Sequence, residues 1–213
     1  MDNPALDLKG LLALTLVTGR DEARPRTILE LAERAFAGGV TALQLREKNL
    51  TDREFYDLAS PLAQFCRQKG RLFIINDRLD IALAVAADGL HLGVGDLPIK
   101  VARAFWPRPK ILGATAKTVA AAKKAEEEGA DYLGCGALFP SPSKPEAPIM
   151  ALETLKAIQE ATTLPLVGIG GVNPKNAALA WSWGLTGLAA ITSLARAEDP
   201  ERVANSLTKK PRN

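Results

Sequence analysis

A chain of 213 residues that is 47% hydrophobic and only 5% aromatic has the material for one large core built from many small Ala, Leu, Val and Ile contacts. A formal net charge of +3 is too weak to argue for nucleic acid and suits small phosphorylated ligands instead. Two cysteines, Cys66 and Cys135, with no CxxC and no His/Cys cluster, argue against structural zinc and a disulfide framework; buried free thiols in a reducing cytosol are the simplest account.

In chain order, the apolar run Leu11 to Val17 is too short to span a bilayer and follows an acidic rather than a basic start. It reads as a first strand, Leu12–Val17, in a protein expected in the cytoplasm with no membrane partner. The second strand, Ala42–Arg46, continues into Glu47 and Lys48. Alternation sends Leu43, Leu45 and Glu47 one way and Gln44, Arg46 and Lys48 the other. Facing a barrel interior, the polar side is a pocket for a multiply charged anion; a half-exposed edge strand carries the same pattern. Thr51-Asp52-Arg53-Glu54 is a capping box that opens a helix.

Strand three, Leu72–Asn76, ends in Asn76-Asp77-Arg78, and strand four, Gly89–Leu92, is followed by Gly93-Val94-Gly95-Asp96. His91, the only histidine, sits between Leu90 and Leu92 and reads as a core or rim residue rather than a general base. Strand five is Ile111–Thr115, and the charged run Lys123 to Glu128 reads as the solvated side of a helix. Strand six, Tyr132–Cys135, runs into Phe139-Pro140-Ser141-Pro142-Ser143-Lys144-Pro145, where a lysine can reach an anion as a point charge.

Strand seven, Leu166–Ile169, ends in Gly170-Gly171, and Asn173-Pro174 predicts a helix start. Trp181 and Trp183 lie about 200° apart on a helix, so one of them is expected exposed or in a subunit contact, which hints at a homo-oligomer. Strand eight, Gly187–Ala190, leads into Ile191-Thr192-Ser193, and Thr208 to Asn213 forms a polar tail.

Eight strand–helix alternations with no linker predict an α/β fold, a single-domain (β/α)8 barrel of the TIM type over residues 1–213. An open doubly wound sheet is the alternative, but it places its glycine fingerprint after an early strand, and here the glycine pair is late. In such barrels chemistry sits at the carboxyl ends of the strands, and the polar groups collect at that rim. Asp77 and Asp96 follow neighbouring strands roughly 5 Å apart and can share one hard cation such as magnesium; the lesser alternative is that each caps the following helix, Asp96 before Leu97-Pro98, or that Asp77 pairs with Arg78 or Arg46. Gly170-Gly171, with Thr192 and Ser193 opening a helix, reads as a phosphate cradle or as a tight turn needing positive φ.

These segments together resemble the thiamine-phosphate synthase family. The matching residues are Gln44 to Lys48, Ile75 to Arg78, Ala87 to Gly93 with Asp96, Gly129 to Tyr132 with Phe139 to Lys144, and Ile169 to Gly171. They occur in the family's order along nearly the whole chain. The resemblance implies a transferase that joins a hydroxymethylpyrimidine diphosphate to a thiazole phosphate, releasing pyrophosphate with the help of magnesium. By position, Gln44, Leu45, Arg46, Glu47, Lys48, Asn76, Thr115 and Lys144 would contact the pyrimidine diphosphate, with Arg46, Lys48 and Lys144 catalytic. Asp77 and Asp96 would hold the metal, and Ser141, Pro142, Ser143, Gly171, Ile191 and Thr192 the thiazole phosphate.

The chain departs from the family pattern at Ser141 and Ser143, where threonines are common, and at Thr115 and Thr192, where serine is usual. Lys117 stands where histidine is frequent and Val94 where glutamine is frequent. Two rivals remain at this point: a thiazole tautomerase paralogue on the same barrel, and a non-catalytic phosphate-binding barrel.

Overall fold

The computed structural model describes residues 7–141 and 146–210. Eight parallel strands close into a barrel in sequence order, β1 pairing with β8 as well as with β2. In chain order the elements are α1 (Leu8–Leu11), β1 (Leu14–Thr18), α2 (Arg20–Ala23), α3 (Ile28–Ala37), β2 (Ala42–Leu45), α4 (Asp52–Gln68), β3 (Leu72–Asn76), α5 (Leu79–Ala84) and β4 (Gly89–Leu92). They continue as α6 (Ile99–Phe105), β5 (Ile111–Thr115), α7 (Val119–Glu127), β6 (Tyr132–Cys135), α8 (Leu152–Ala161), β7 (Leu166–Ile169), α9 (Ala177–Ser182), β8 (Gly187–Ala190), α10 (Thr192–Ala195) and α11 (Pro200–Leu207).

The apolar residues divide into two layers because strand side chains alternate. Leu14, Leu16, Leu43, Leu45, Phe73 and Ile75 face outward and pack under the helices. Val17, Ala42, Leu72, Ile74, Ile111, Tyr132, Val167 and Ala189 face inward and fill the barrel. Each fully buried aliphatic side chain stabilises the fold by about 1.5–3 kcal/mol relative to exposure, so the outer layer carries most of the stability. The amino-terminal end of the barrel is closed by α1, whose Leu8 and Leu11 pack with buried Leu12 against the inner layer. Asp7 caps this helix, accepting a hydrogen bond from Gly10 N at 3.0 Å.

Several expectations shift. The first strand begins two residues later than predicted, because Leu11 and Leu12 belong to the plug and not to the sheet. The helix after β7 starts at Ala177, not at Pro174. Asn173 instead makes a turn, with Oδ1 accepting from Lys175 N at 2.9 Å. The predicted capping box at Thr51 forms, Thr51 Oγ1 accepting from Glu54 N and Glu54 reaching back to Thr51 N. Trp181 is buried and donates Nε1–H to Leu207 O at 2.8 Å, and half-buried Trp183 stacks on Phe139 at 5.2 Å. Both tryptophans thus have intrachain partners. Cys66 and Cys135 are free and buried, and burial pushes both thiols up to about 12. Among the described residues no helix is long and apolar enough to cross a membrane.

Candidate active site

A cavity of about 730 Å³ opens at the carboxyl-terminal ends of the strands, lined by residues from β1 round to the loop after β8. Its cationic wall comes from β2 and the loop that follows it. Gln44, Arg46 and Lys48 line the cavity, while Leu45 belongs to the outer core. Glu47 also points away: its Oε1 accepts from Arg20 N at 2.5 Å and so ties the start of α2 to the end of β2. The structure therefore does not bring the side chains of Leu45 and Glu47 to the cavity, as strand parity requires.

Gln44 and Asn76 are each only 7% exposed, yet neither side-chain amide is bonded to another described residue. Buried amides ordinarily have partners, so both are poised for a polar ligand. Half-buried Arg46, which lines the cavity, likewise has no side-chain hydrogen bond or ion pair among the described residues, leaving its guanidinium donors unused by the protein. Lys48 is engaged, forming an ion pair with Asp77.

Asp77 and Asp96 both line the same cavity. Asp77 follows β3 with φ +67°, a left-handed conformation that aspartate tolerates, and its N–H donates to His91 O at 2.9 Å. Asp96 Oδ2 accepts from Gly93 N at 2.6 Å, which fixes the loop after β4. The Asp96 carboxyl is held above the ordinary carboxylate range, first by burial and then by its hydrogen bond with Asp77, while Gly93 N–H and the Lys48 ammonium pull the other way. Neighbouring Arg78 turns outward to Asp52 and Asp80 and takes no part.

Two hard oxygen donors that repel each other at a cavity mouth fit a divalent cation whose remaining ligands are phosphate oxygens and water. The donor set is two carboxylates, and no cluster of three His, Cys, Asp or Glu suited to a metal occurs among the described residues.

Opposite this pair lies the wall from β6, β7 and β8. Gly170 and Gly171 have φ of +97° and +67°. A Cβ on Gly170 would lie 2.6 Å from Ala137 Cβ, and one on Gly171 2.5 Å from Phe139 O. The pair thus makes the tight turn and also lines the cavity. Asn173 and Asn176 each donate Nδ2–H to Gly171 O at 2.9 Å, and Ser193 Oγ donates to Val172 O at 2.7 Å, so the turn is braced from both sides. Ile191 and Thr192 line the cavity at the start of α10, and Ser141 lines it from the loop after β6. Pro142, Ser143 and Lys144 lie outside the described residues.

The sequence reading missed or undervalued four contributors. Thr15 lines the cavity, and its Oγ1 is buried without a hydrogen-bond partner among the described residues. Lys117, noted only as a departure from the family pattern, is exposed at the mouth, where Val94 also lies. Tyr132 and His91 line the cavity and join Thr115 in a hydrogen-bonded row. Their alternation parity was readable from the strands; their mutual contact was not, because the three come from three different strands.

Comparison with known proteins agrees with this architecture. Residues 14–194 match the family described as thiamine monophosphate synthase. The chain is 42% identical over 208 residues to the thiamine-phosphate synthase of Clostridium tetani, covering 98% of each chain. It is 50% identical over 184 residues to that of Moorella thermoacetica, covering 85% of this chain and 87% of the relative. The solved thiamine phosphate pyrophosphorylase of Pyrococcus furiosus superimposes with a TM-score of 0.85 at 38% identity, over 94% of this chain and 96% of that one.

Proposed function

The chain belongs to the thiamine monophosphate synthase family and forms thiamine phosphate as a transferase, and on that premise we propose how its cavity carries out the reaction. The observation that carries the proposal is the meeting, at one mouth, of the unpaired Arg46 guanidinium and the Lys48 ammonium with the Asp77/Asp96 pair. The substrates are a pyrimidine methyl diphosphate and a thiazole phosphate. The bond between the pyrimidine methylene carbon and the diphosphate oxygen breaks, and the electron pair leaves with pyrophosphate. The thiazole nitrogen's lone pair forms the new C–N bond.

Gln44 and Asn76 offer amide donors and acceptors to the aminopyrimidine, while Arg46, Lys48 and Lys117 place positive charge beside the diphosphate. Lys144 joins them by its place in the family motif. Asp77 and Asp96 would hold magnesium. When bound, that ion balances the charge that develops on the departing diphosphate.

The pyrimidine amino group feeds electron density toward the methylene carbon, so a dissociative path fits the site and needs no strong base. The single histidine is consistent with this, since burial holds it neutral and both ring nitrogens are already engaged. The braced glycine turn, Ser141 to Ser143 and the N–H groups at Ile191 and Thr192 seat the thiazole phosphate, which orients its nitrogen for attack.

In this reading the whole chain, residues 1–213, is one catalytic domain working on small molecules in the cytosol, where its two buried thiols stay reduced. The tautomerase and the non-catalytic barrel are disfavoured because neither uses an acidic pair and an unpaired guanidinium at one mouth. Incubating the protein with both substrates and magnesium should release pyrophosphate and thiamine phosphate in equal amounts. Isomerised thiazole without pyrophosphate, or no turnover, would overturn the assignment.

A further inference from the structure

The wall of the cavity contains a hydrogen-bonded row to which the reaction as described gives no role. His91 on β4 places Nδ1 2.9 Å from Tyr132 Oη on β6 and Nε2 3.0 Å from Thr115 Oγ1 on β5. Glycines make the room: a Cβ at Gly113 would collide with the Tyr132 ring, and one at Gly134 would lie 2.9 Å from His91 Cε1. Both rings are buried, so each polar hydrogen on them needs an acceptor inside the protein.

Counting hydrogens against the acceptors on the described residues gives the row a direction. The Tyr132 hydroxyl meets no acceptor other than His91 Nδ1 among the described residues, which assigns it as the donor to that nitrogen. An Nδ1–H tautomer, or a doubly protonated ring, would strand the phenol hydrogen without an acceptor in the interior. The remaining ring hydrogen then sits on Nε2 and is donated to Thr115 Oγ1. Thr115 has no other side-chain partner among the described residues and stands half-exposed on the cavity wall.

We infer that Tyr132 and His91 are positioning residues that oblige the Thr115 hydroxyl to accept from below and donate upward, into the cavity. The inference rests on reading this cavity as the pyrimidine diphosphate site and adds a specificity rule to it. The substrate atom above Thr115 is an acceptor, a phosphate oxygen or a bare ring nitrogen, and not an amino group.

The chain contains one histidine, so its imidazole signals need no sequence assignment. A long-range 1H–15N correlation spectrum of the labelled full-length protein near neutral pH should show hydrogen on Nε2 and a bare Nδ1. Hydrogen on Nδ1, alone or together with Nε2, would overturn the inference. Kinetically, Thr115→Val should lower kcat/KM for the diphosphate substrate about tenfold or more, and Thr115→Ser should recover most of that loss.

His91→Gln, which supplies a donor and an acceptor, should retain several-fold more kcat/KM than His91→Leu, which supplies neither, with the KM for the thiazole phosphate alike in the two. Equal impairment of both His91 variants would count against the row. A wild-type protein with the Nε2–H signature but no thiamine phosphate would unseat the reaction while leaving the row standing. Product formation with an Nδ1–H signature would do the reverse.

Discussion

Asp96 shows how one side chain trades stability for chemistry. Its carboxyl is held above the ordinary range, so the fold disfavours the charged form. The sign follows: without a cation, the stabilisation it allows is present below its unfolded-state value and is lost as pH rises through the raised one. Asp96→Asn removes the charge but keeps an oxygen for Gly93 N–H, so metal-free protein should melt no lower than wild type at neutral pH. The same variant should lose about 10²-fold in turnover, as on removal of one electrostatic stabiliser. Thermal unfolding in chelator beside a pyrophosphate-release assay separates the two effects.

At this scale the sequence was most legible on β2, where alternation alone separated Gln44, Arg46 and Lys48 from Leu45 and Glu47. The contiguous family motif blurred that separation by bringing in all five residues. Pairings across strands were not legible. The ion pair of Lys48 with Asp77 joins residues 29 positions apart, and nothing local announces it.

Among the elements, seven strands were readable almost to their ends because parallel strands buried on both faces are short apolar runs bounded by turn residues. The exception is instructive. Leu11, Leu12 and Ala13 run apolar straight into β1, and no periodicity distinguishes the end of a one-turn plug from the start of a strand. The plug has its own energetics: Leu12→Ala should cost about 2–5 kcal/mol, read as a lower denaturation midpoint with turnover preserved in the folded fraction. The interior glycines belong to the same scale. Gly113→Ala forces a methyl group onto the Tyr132 ring and should cost about 1–3 kcal/mol. At about 2–4 °C per kcal/mol for a chain of this size, calorimetry resolves it; an unchanged melting temperature would mean the ring has another place to go.

For the molecule as a whole, the fold gathers charge at one end of a nearly neutral chain. The formal net charge is only +3, yet Arg46, Lys48 and Lys117 share a mouth with Asp77 and Asp96. Attraction of a multiply charged substrate to such a mouth is screened over about 10 Å at 0.1 M salt. The KM for the diphosphate substrate should therefore rise several-fold between low and high ionic strength while the melting temperature barely moves, which steady-state kinetics across a salt series would check. Net charge, visible in the sequence, said little of this, since the convergence is a product of barrel closure.

The central claim is that the two facing carboxylates make pyrophosphate departure dependent on a divalent cation. Its most direct test is steady-state pyrophosphate release by the Asp77→Asn/Asp96→Asn double variant, titrated with magnesium at saturating substrates. The account predicts a rate at least about 10²-fold below wild type that magnesium no longer stimulates. Release at the wild-type rate with the wild-type magnesium response would contradict it.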